Sequence, residues 1–523
     1  MKKTTSFSAA DLFGGFADRI VSTRRFQRNA DKAAHKLLAS IADRVSDKAI
    51  DPFVRPDYTE FMEGSGYFIS TPKENARWSV GFAKRSILPQ DVSGPLYLGG
   101  YLNFPPNKVS GVLDDLCVRV SAVSDGSGRG IHVFASIDCV GISNTDVCAV
   151  RKLLHREIAE YNIESLNVCA THCHSGVDTL GLWGDLIQAL CKNPRLVKSA
   201  AKAENAVSGR NPEFMKNLLE QTADCVREAL AGMLPCTVSC AVLDGSAYIR
   251  DKRPPDVVDT DLTVIRFSPE GKRPLFWVLF GAHPTCFGPD QQELSGDFPY
   301  HLCTELENLG FDAVFFQGAE LAVATDRSKT AHPGETTYES IVGYGRALAR
   351  FVAEADDRRY RPVEPILNVR LDPLLLPAEN PLLLLAAKLR LVNSKLKKFE
   401  TGKGFDYCFR SEIGFAEFGR ELRVALIPGE LAPELAVGGA PKAEASWSGA
   451  DWPYPPMKDA FSGKLAVIGL CNDCVGYIVP DNDYGSFFAP KHYEEAVSAG
   501  RKTASNLISA FFRTVENAER GRL

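Results

Sequence analysis

Nine histidines occur in the 523-residue chain, and two of them stand one residue apart in "ATHCHSG", residues 170–176. In an extended segment, residues i and i+2 point to the same side. His172 and His174 then face one cleft together while Cys173 turns into packing. Two imidazoles on one face serve either as two metal ligands or as one ligand and one proton-transfer group. The plainer alternative is a pair of hydrogen bonds at a strand end. His283 closes the apolar run "LFWVLFGAH" just before Pro284 and offers the same choice. Glu430 ends "LRVALIPGE", and Tyr477 lies just past "KLAVIGL". Ligand-type side chains thus recur at the C-terminal ends of strands, where α/β enzymes commonly build their sites.

Other chemistry-bearing stretches have simpler explanations. "CNDC" (Cys471, Cys474) has the spacing of a zinc knuckle or a redox pair. A structural zinc needs four ligands, and no second close cysteine pair lies nearby, so buried, unreactive thiols are expected. Asp297 in "SGDFPYHLCTELE" sits at a helix entry, where capping accounts for it. "PLLLLAAKLRLVNSKLKKFE" begins with Asn380 as a cap and Pro381 in the first helical position. It is read as a helix packed on the domain rather than lying on lipid.

The elements that must position these residues follow from hydrophobic periodicity. Residues 1–75 read as a helical N-terminal extension, with Ser8 and Asn29 as caps, before "DPFVRPDY" breaks helix. Residues 76–523 read as one catalytic domain of mixed α/β (α+β) class, a β-sheet core flanked by helices. Its clearest strands are "IHVFASIDCVGI", "LNVCAT", "CTVSCAVL", "DLTVIRF", "LFWVLFGAH", "DAVFFQGA", "LRVALIPGE" and "KLAVIGL". Helices are expected over 144–161, 212–232, 296–309, 337–355, 381–399 and 491–516.

Composition is that of a globular protein, 45% hydrophobic and 24% charged. A net charge of −5 and a pI near 6.1 argue against a nucleic-acid surface. No apolar h-region follows the opening lysines, and the most apolar stretch, from Pro381, meets Lys388 after seven residues. Neither a signal peptide nor a membrane span is expected, and fourteen cysteines then read as reduced core thiols. The expected location is cytoplasmic.

The ordered set "THCHSG … FGAHP … SGDFPY … FFQGA … IPGE … GLCNDCVGYI … HYEEA" resembles the catalytic domain of the neutral/alkaline (non-lysosomal) ceramidases. "DVSGPLYLGGYLNFPPNKVSGVLDDLCVRVSAV" resembles that family's opening, and the likeness runs from about residue 80 to 515. The resemblance implies hydrolysis of an N-acyl amide with one Zn²⁺ per chain, on a small-molecule or lipid substrate. It implies metal ligation by His172, His283, Glu430 and Tyr477, and the acid–base place for His174. A substrate-holding arginine falls in "AYIRDKRPPDVVDTDLTVIRF", where Arg253 is favoured over Arg250, and Tyr493 resembles a further active-site tyrosine. Zinc suits such donors, because it activates water near neutral pH and polarises a carbonyl.

Two departures stand out. The family's "SNxGDVSPN" segment corresponds to "FFQGAELAVATDR", with Gly318 in place of the serine and Glu320 as the nearest carboxylate. Only about 30 residues follow Tyr493, where the classical enzymes continue into an immunoglobulin-like domain. The leading expectation is therefore a divergent zinc amidohydrolase. Its alternatives are a hydrolase of a non-lipid amide or ester, and a non-catalytic binding protein of the same architecture.

Overall fold

The computed structural model of the protein describes residues 24–45, 50, 61–89, 93–103, 105–184, 208–401, 404–462, 464–485 and 492–523. The first expected helix and "DPFVRPDY" lie outside the described residues. Within them, the chain forms four layers, helices on either side of two packed sheets.

The larger sheet hydrogen-bonds its strands in the order Asp312–Gln317, Leu275–Phe280, Asp261–Pro269, Leu234–Asp244, Ser79–Ser86, Cys117–Ser124, Ile131–Ile137, Ile163–Ala170. The outermost pair at each end is parallel, and the neighbours between are antiparallel. Leu275–Phe280 shows why these runs become doubly buried strands. Phe276, Val278 and Phe280 pack towards helices Asp297–Asn308 and Thr337–Ala353, while Leu275, Trp277 and Leu279 face the second sheet. A two-residue period with both faces apolar leaves no side for water. Val118, Val120, Val133 and Val168 similarly pack beneath helix Pro212–Ala231 through Phe214, Leu218 and Val226.

The second sheet runs Leu367–Pro377, Gly404–Phe418, Leu422–Leu426, Leu465–Ile468, with Lys395–Thr401 also paired to Gly404–Phe418. Its inner face meets the larger sheet around Trp277, whose ring lies 5.7 Å edge-on from Phe418 and 4.9 Å from Phe134. Its outer face carries Phe415 and Ile413 against Leu507, Ile508 and Phe511 of helix Thr503–Arg520.

The two edges of the larger sheet are tied to each other. Gln317, fully buried, donates through Nε2 to the carbonyls of Thr171 (3.0 Å) and Ala282 (2.7 Å), and its Oε1 accepts from the Ala282 amide (3.2 Å). Ser136 Oγ donates to the Phe315 carbonyl at 2.6 Å. The chain segments leading into His172 and His283 are thereby joined through one side chain.

Some expected elements are revised. The 381–399 helix stops at Lys388, where Arg390 takes φ +58°, and Lys395–Thr401 is a strand instead. The alternation Lys-Leu-Lys-Lys-Phe fits a hairpin edge better than a helix face. Helix Pro381–Lys388 buries Leu385 against Leu38, Ile41 and Ala42 of helix Arg24–Ala42. Residues 61–75 are not helical; Phe61 packs into the core between the sheets, and Phe68 stacks on Phe415 at the outer face of the second sheet. The C-terminal helix begins at Thr503, later than expected. Among the described residues, no helix is long and apolar enough to cross a membrane.

Gln317→Met should therefore cost stability despite its similar volume, because the Thr171 carbonyl and the Ala282 amide and carbonyl lose their partner. About 1–3 kcal/mol is expected for each buried group left unpaired. Denaturant unfolding should show a lower midpoint; an unchanged midpoint would show that the edge closure does not depend on this amide.

Candidate metal centre

His172 follows strand Ile163–Ala170 in the left-handed region, φ +66°. That conformation is costly for a non-glycine residue and tends to be retained where a site requires it. Its Nδ1 bonds the Val140 carbonyl at 2.6 Å, which directs Nε2 inward. His283 is held in the same way. Its amide donates to Val323 O (2.9 Å) and its Nδ1 to Glu320 O (2.9 Å), again leaving Nε2 free to face the centre. Metal-binding histidines characteristically fix their tautomer by such a bond from the other ring nitrogen.

Glu430 arrives from the second sheet and completes the trio. Its Oε2 lies 3.2 Å from His172 Nε2 and 3.0 Å from His283 Nε2. Ligand atoms about 2.0 Å from a tetrahedral zinc sit roughly 3.3 Å apart, so these separations fit one ion at their middle. The side chains are 3–5% exposed, which keeps competing water out. Glu430 is paired in parallel with Tyr477. The Tyr477 ring stacks on His283 at 6.4 Å and 23°, and Tyr493 meets it edge-on at 5.9 Å.

His174 is placed differently. Its Nε2 lies 3.1 Å from His172 Nε2, but its Nδ1 has no partner among the described residues. The ring is wedged between the edge of Tyr101 (5.0 Å) and Gly100, where a Cβ would lie 2.3 Å from the imidazole. Tyr101 itself donates to the Thr285 carbonyl. Burial, with His172 and His283 beside it, holds His174 well below the usual histidine value. Cys173 points away into the core, fully buried.

The electrostatics ask for a cation. Burial opposes charge on His172, yet the Glu430 and Glu320 carboxylates outweigh it and push that imidazole up to about 9. Burial likewise opposes charge on Glu430, and the two histidines outweigh it and hold the carboxyl well below the usual range.

The remaining sequence candidates are more dispersed. Arg253 is committed elsewhere: its guanidinium bonds Glu494 (2.9 Å), Glu495 (3.1 Å), Asp483 (3.2 Å) and His492 (3.2 Å) at 3% exposure. It thus anchors the turn that carries Tyr493, which is 57% exposed. Arg250 is exposed and pairs in register with Ala324, which in turn bridges to His283. Residues opposite one another on neighbouring strands share a face, so Arg250 lies two strand spacings from His283 across a small alanine. Gly318 is where the strand ends touch: a Cβ there would lie 2.7 Å from the Gly281 amide nitrogen, so a serine does not fit. In "CNDC", Asn472 accepts from the Val168 amide and bonds Asn167, and burial raises the Cys474 thiol.

Spacing gives no reason to place Gln317 or Tyr101 at the site, and Glu320 stands out only as the carboxylate nearest Gly318. The available signal was a lone charge and a lone amide inside the apolar run "FFQGAELAVA".

No family model and no curated protein matches the sequence. Among solved structures, neutral ceramidase from Pseudomonas aeruginosa aligns with a TM-score of 0.60 at 14% identity, over 86% of this chain and 76% of its own. A ceramidase complexed with C2 aligns with a TM-score of 0.61 at 14% identity, over 85% and 76%. The donor set predicts about one transition-metal ion per chain by elemental analysis, and less than a tenth of that after His283→Ala. Equal metal in both proteins would place the ion elsewhere. At so low an identity the likeness speaks for architecture, and the chain carries the neutral-ceramidase fold as a divergent version.

Proposed function

We propose that the protein is a zinc-dependent hydrolase that cleaves an N-acyl amide, ceramide-like or another N-acyl amine. The observation that carries this reading is the Glu430 carboxylate oxygen, 3.0 and 3.2 Å from two inward-facing imidazole nitrogens whose other nitrogens are tied to backbone carbonyls. The donors His172, His283 and Glu430, with Tyr477 stacked beside them, suit zinc and leave room for water. When bound, zinc supplies an activated water and polarises the amide carbonyl.

The protein's own groups then divide the remaining work. His174 is buried, uncharged and aimed at the same point as His172 Nε2. It accepts the proton released as water attacks and returns it to the departing amine nitrogen. The Tyr493 hydroxyl, at the exposed end of the Tyr477–Tyr493 pair, donates to the oxygen that gains negative charge. Arg253 holds the Tyr493 turn in place through Glu494 and Glu495. Arg250, exposed on the strand paired with Ala324, is the group that holds the substrate.

Hydrolysis of an N-acyl amide should fall about 10²–10⁴-fold in kcat for His174→Ala, with zinc content unchanged. Undiminished turnover in that variant would remove His174 from the reaction. No turnover by zinc-replete wild type on any N-acyl amide would favour the binding-protein alternative.

A second reading, a polar rather than sphingoid amine portion, is favoured by the exposed Arg250 and Lys252, two basic side chains on the segment beside the site. Arg250→Ala should then raise KM several-fold for an N-acyl amino acid while leaving a neutral N-acyl amine unaffected. Equal changes on both substrates would withdraw this second reading.

A further inference from the structure

Glu320 is fully buried, and neither of its carboxylate oxygens has a hydrogen-bond partner among the described residues. An isolated buried carboxylate is costly and calls for a compensating charge or donor. The groups it faces are those of the metal centre. Its Oε2 lies 3.9 Å from His283 Nδ1, and its ligand atom falls within 4.8 Å of those of His172 and Glu430. The backbone aims it there from both sides, because the Glu320 carbonyl accepts from His283 Nδ1 and the Val323 amide, while the next residue, Leu321, donates to Leu431.

Two trios of donors can therefore be drawn, His172–His174–His283 and His172–Glu320–Glu430. They do not describe two ions. Both need His172, and with Nδ1 committed to the Val140 carbonyl that ring has one nitrogen to offer. The trios overlap on a single centre.

We propose that Glu320 is an additional direct ligand of this one metal ion, so that two carboxylates and two imidazoles, from His172, His283, Glu430 and Glu320, surround it beside Tyr477. This inference rests on the metal-centre reading above. Two carboxylates neutralise a divalent ion that Glu430 alone leaves with a net positive charge. The neutral centre is better suited to the buried setting, and it binds the ion more tightly while polarising a bound oxygen less. The site is thus built for metal retention, with correspondingly greater reliance on His174 and Tyr493 for proton transfer and charge stabilisation.

The test uses the full-length protein stripped of metal and reloaded with Zn²⁺ or Co²⁺. Zinc affinity is measured by competition with a chromophoric chelator, and coordination number is read from the Co²⁺ d–d absorption. Wild type should show the weak bands of a five- or six-coordinate ion. Glu320→Gln should bind zinc at least tenfold more weakly and give stronger Co²⁺ bands as one ligand is lost. A folded Glu320→Gln protein, checked by circular dichroism, whose zinc affinity and Co²⁺ spectrum match wild type overturns the proposal. A wild type that takes up neither ion contradicts the metal-centre reading itself, and this inference with it.

Discussion

One buried amide makes the centre possible. In the larger sheet, the strand before His172 and the strand before His283 are six places apart, and at about 4.8 Å per strand a flat sheet would separate them by roughly 29 Å. Their rings lie 4.8 Å apart. The sheet curls until its edges meet, and Gln317 bonds both exit segments at once. The glycines at 281 and 318 let the backbones approach that closely. Twist supplies the curvature, and the buried amide fixes where the curl stops. The second sheet adds Glu430 because its strand ends run across the same opening, with Gly469 donating to the Gln317 carbonyl.

The centre that results gathers two acidic side chains and three imidazoles away from water. Two buried carboxylates, Glu430 and Glu320, face imidazoles whose outer nitrogens are already committed to carbonyls. Charge repulsion between the carboxylates and the cost of burying them both act in the same direction, towards taking up positive charge. His174, held on the other side by Tyr101 and Gly100, is in contact with the centre but lacks the second tether that His172 and His283 share. One geometric difference thus sets it apart among three neighbouring rings.

Much of this was legible in the sequence, for local reasons. The strands before His172, His283 and Glu430 announce themselves as short apolar runs, and their C-terminal ends do converge. His172 and His174 do share a side, although through a left-handed turn rather than the regular strand the spacing suggested. What periodicity does not carry is long-range closure. Nothing local distinguishes Gln317 from any strand-end glutamine, or shows that Arg253 is surrounded by Glu494, Glu495 and Asp483. The 381–399 stretch misleads because a helical start and a strand share one amphipathic run, and pairing with Gly404–Phe418 decides its second half.

The most direct measurement of the central claim is X-ray absorption at the zinc edge on the zinc-loaded protein. A first shell of nitrogen and oxygen only, at about 2.0–2.2 Å, is expected, with the outer-shell signature of two imidazoles. A sulfur shell near 2.3 Å would contradict it, since it would require cysteine ligands in place of the histidine and carboxylate donors.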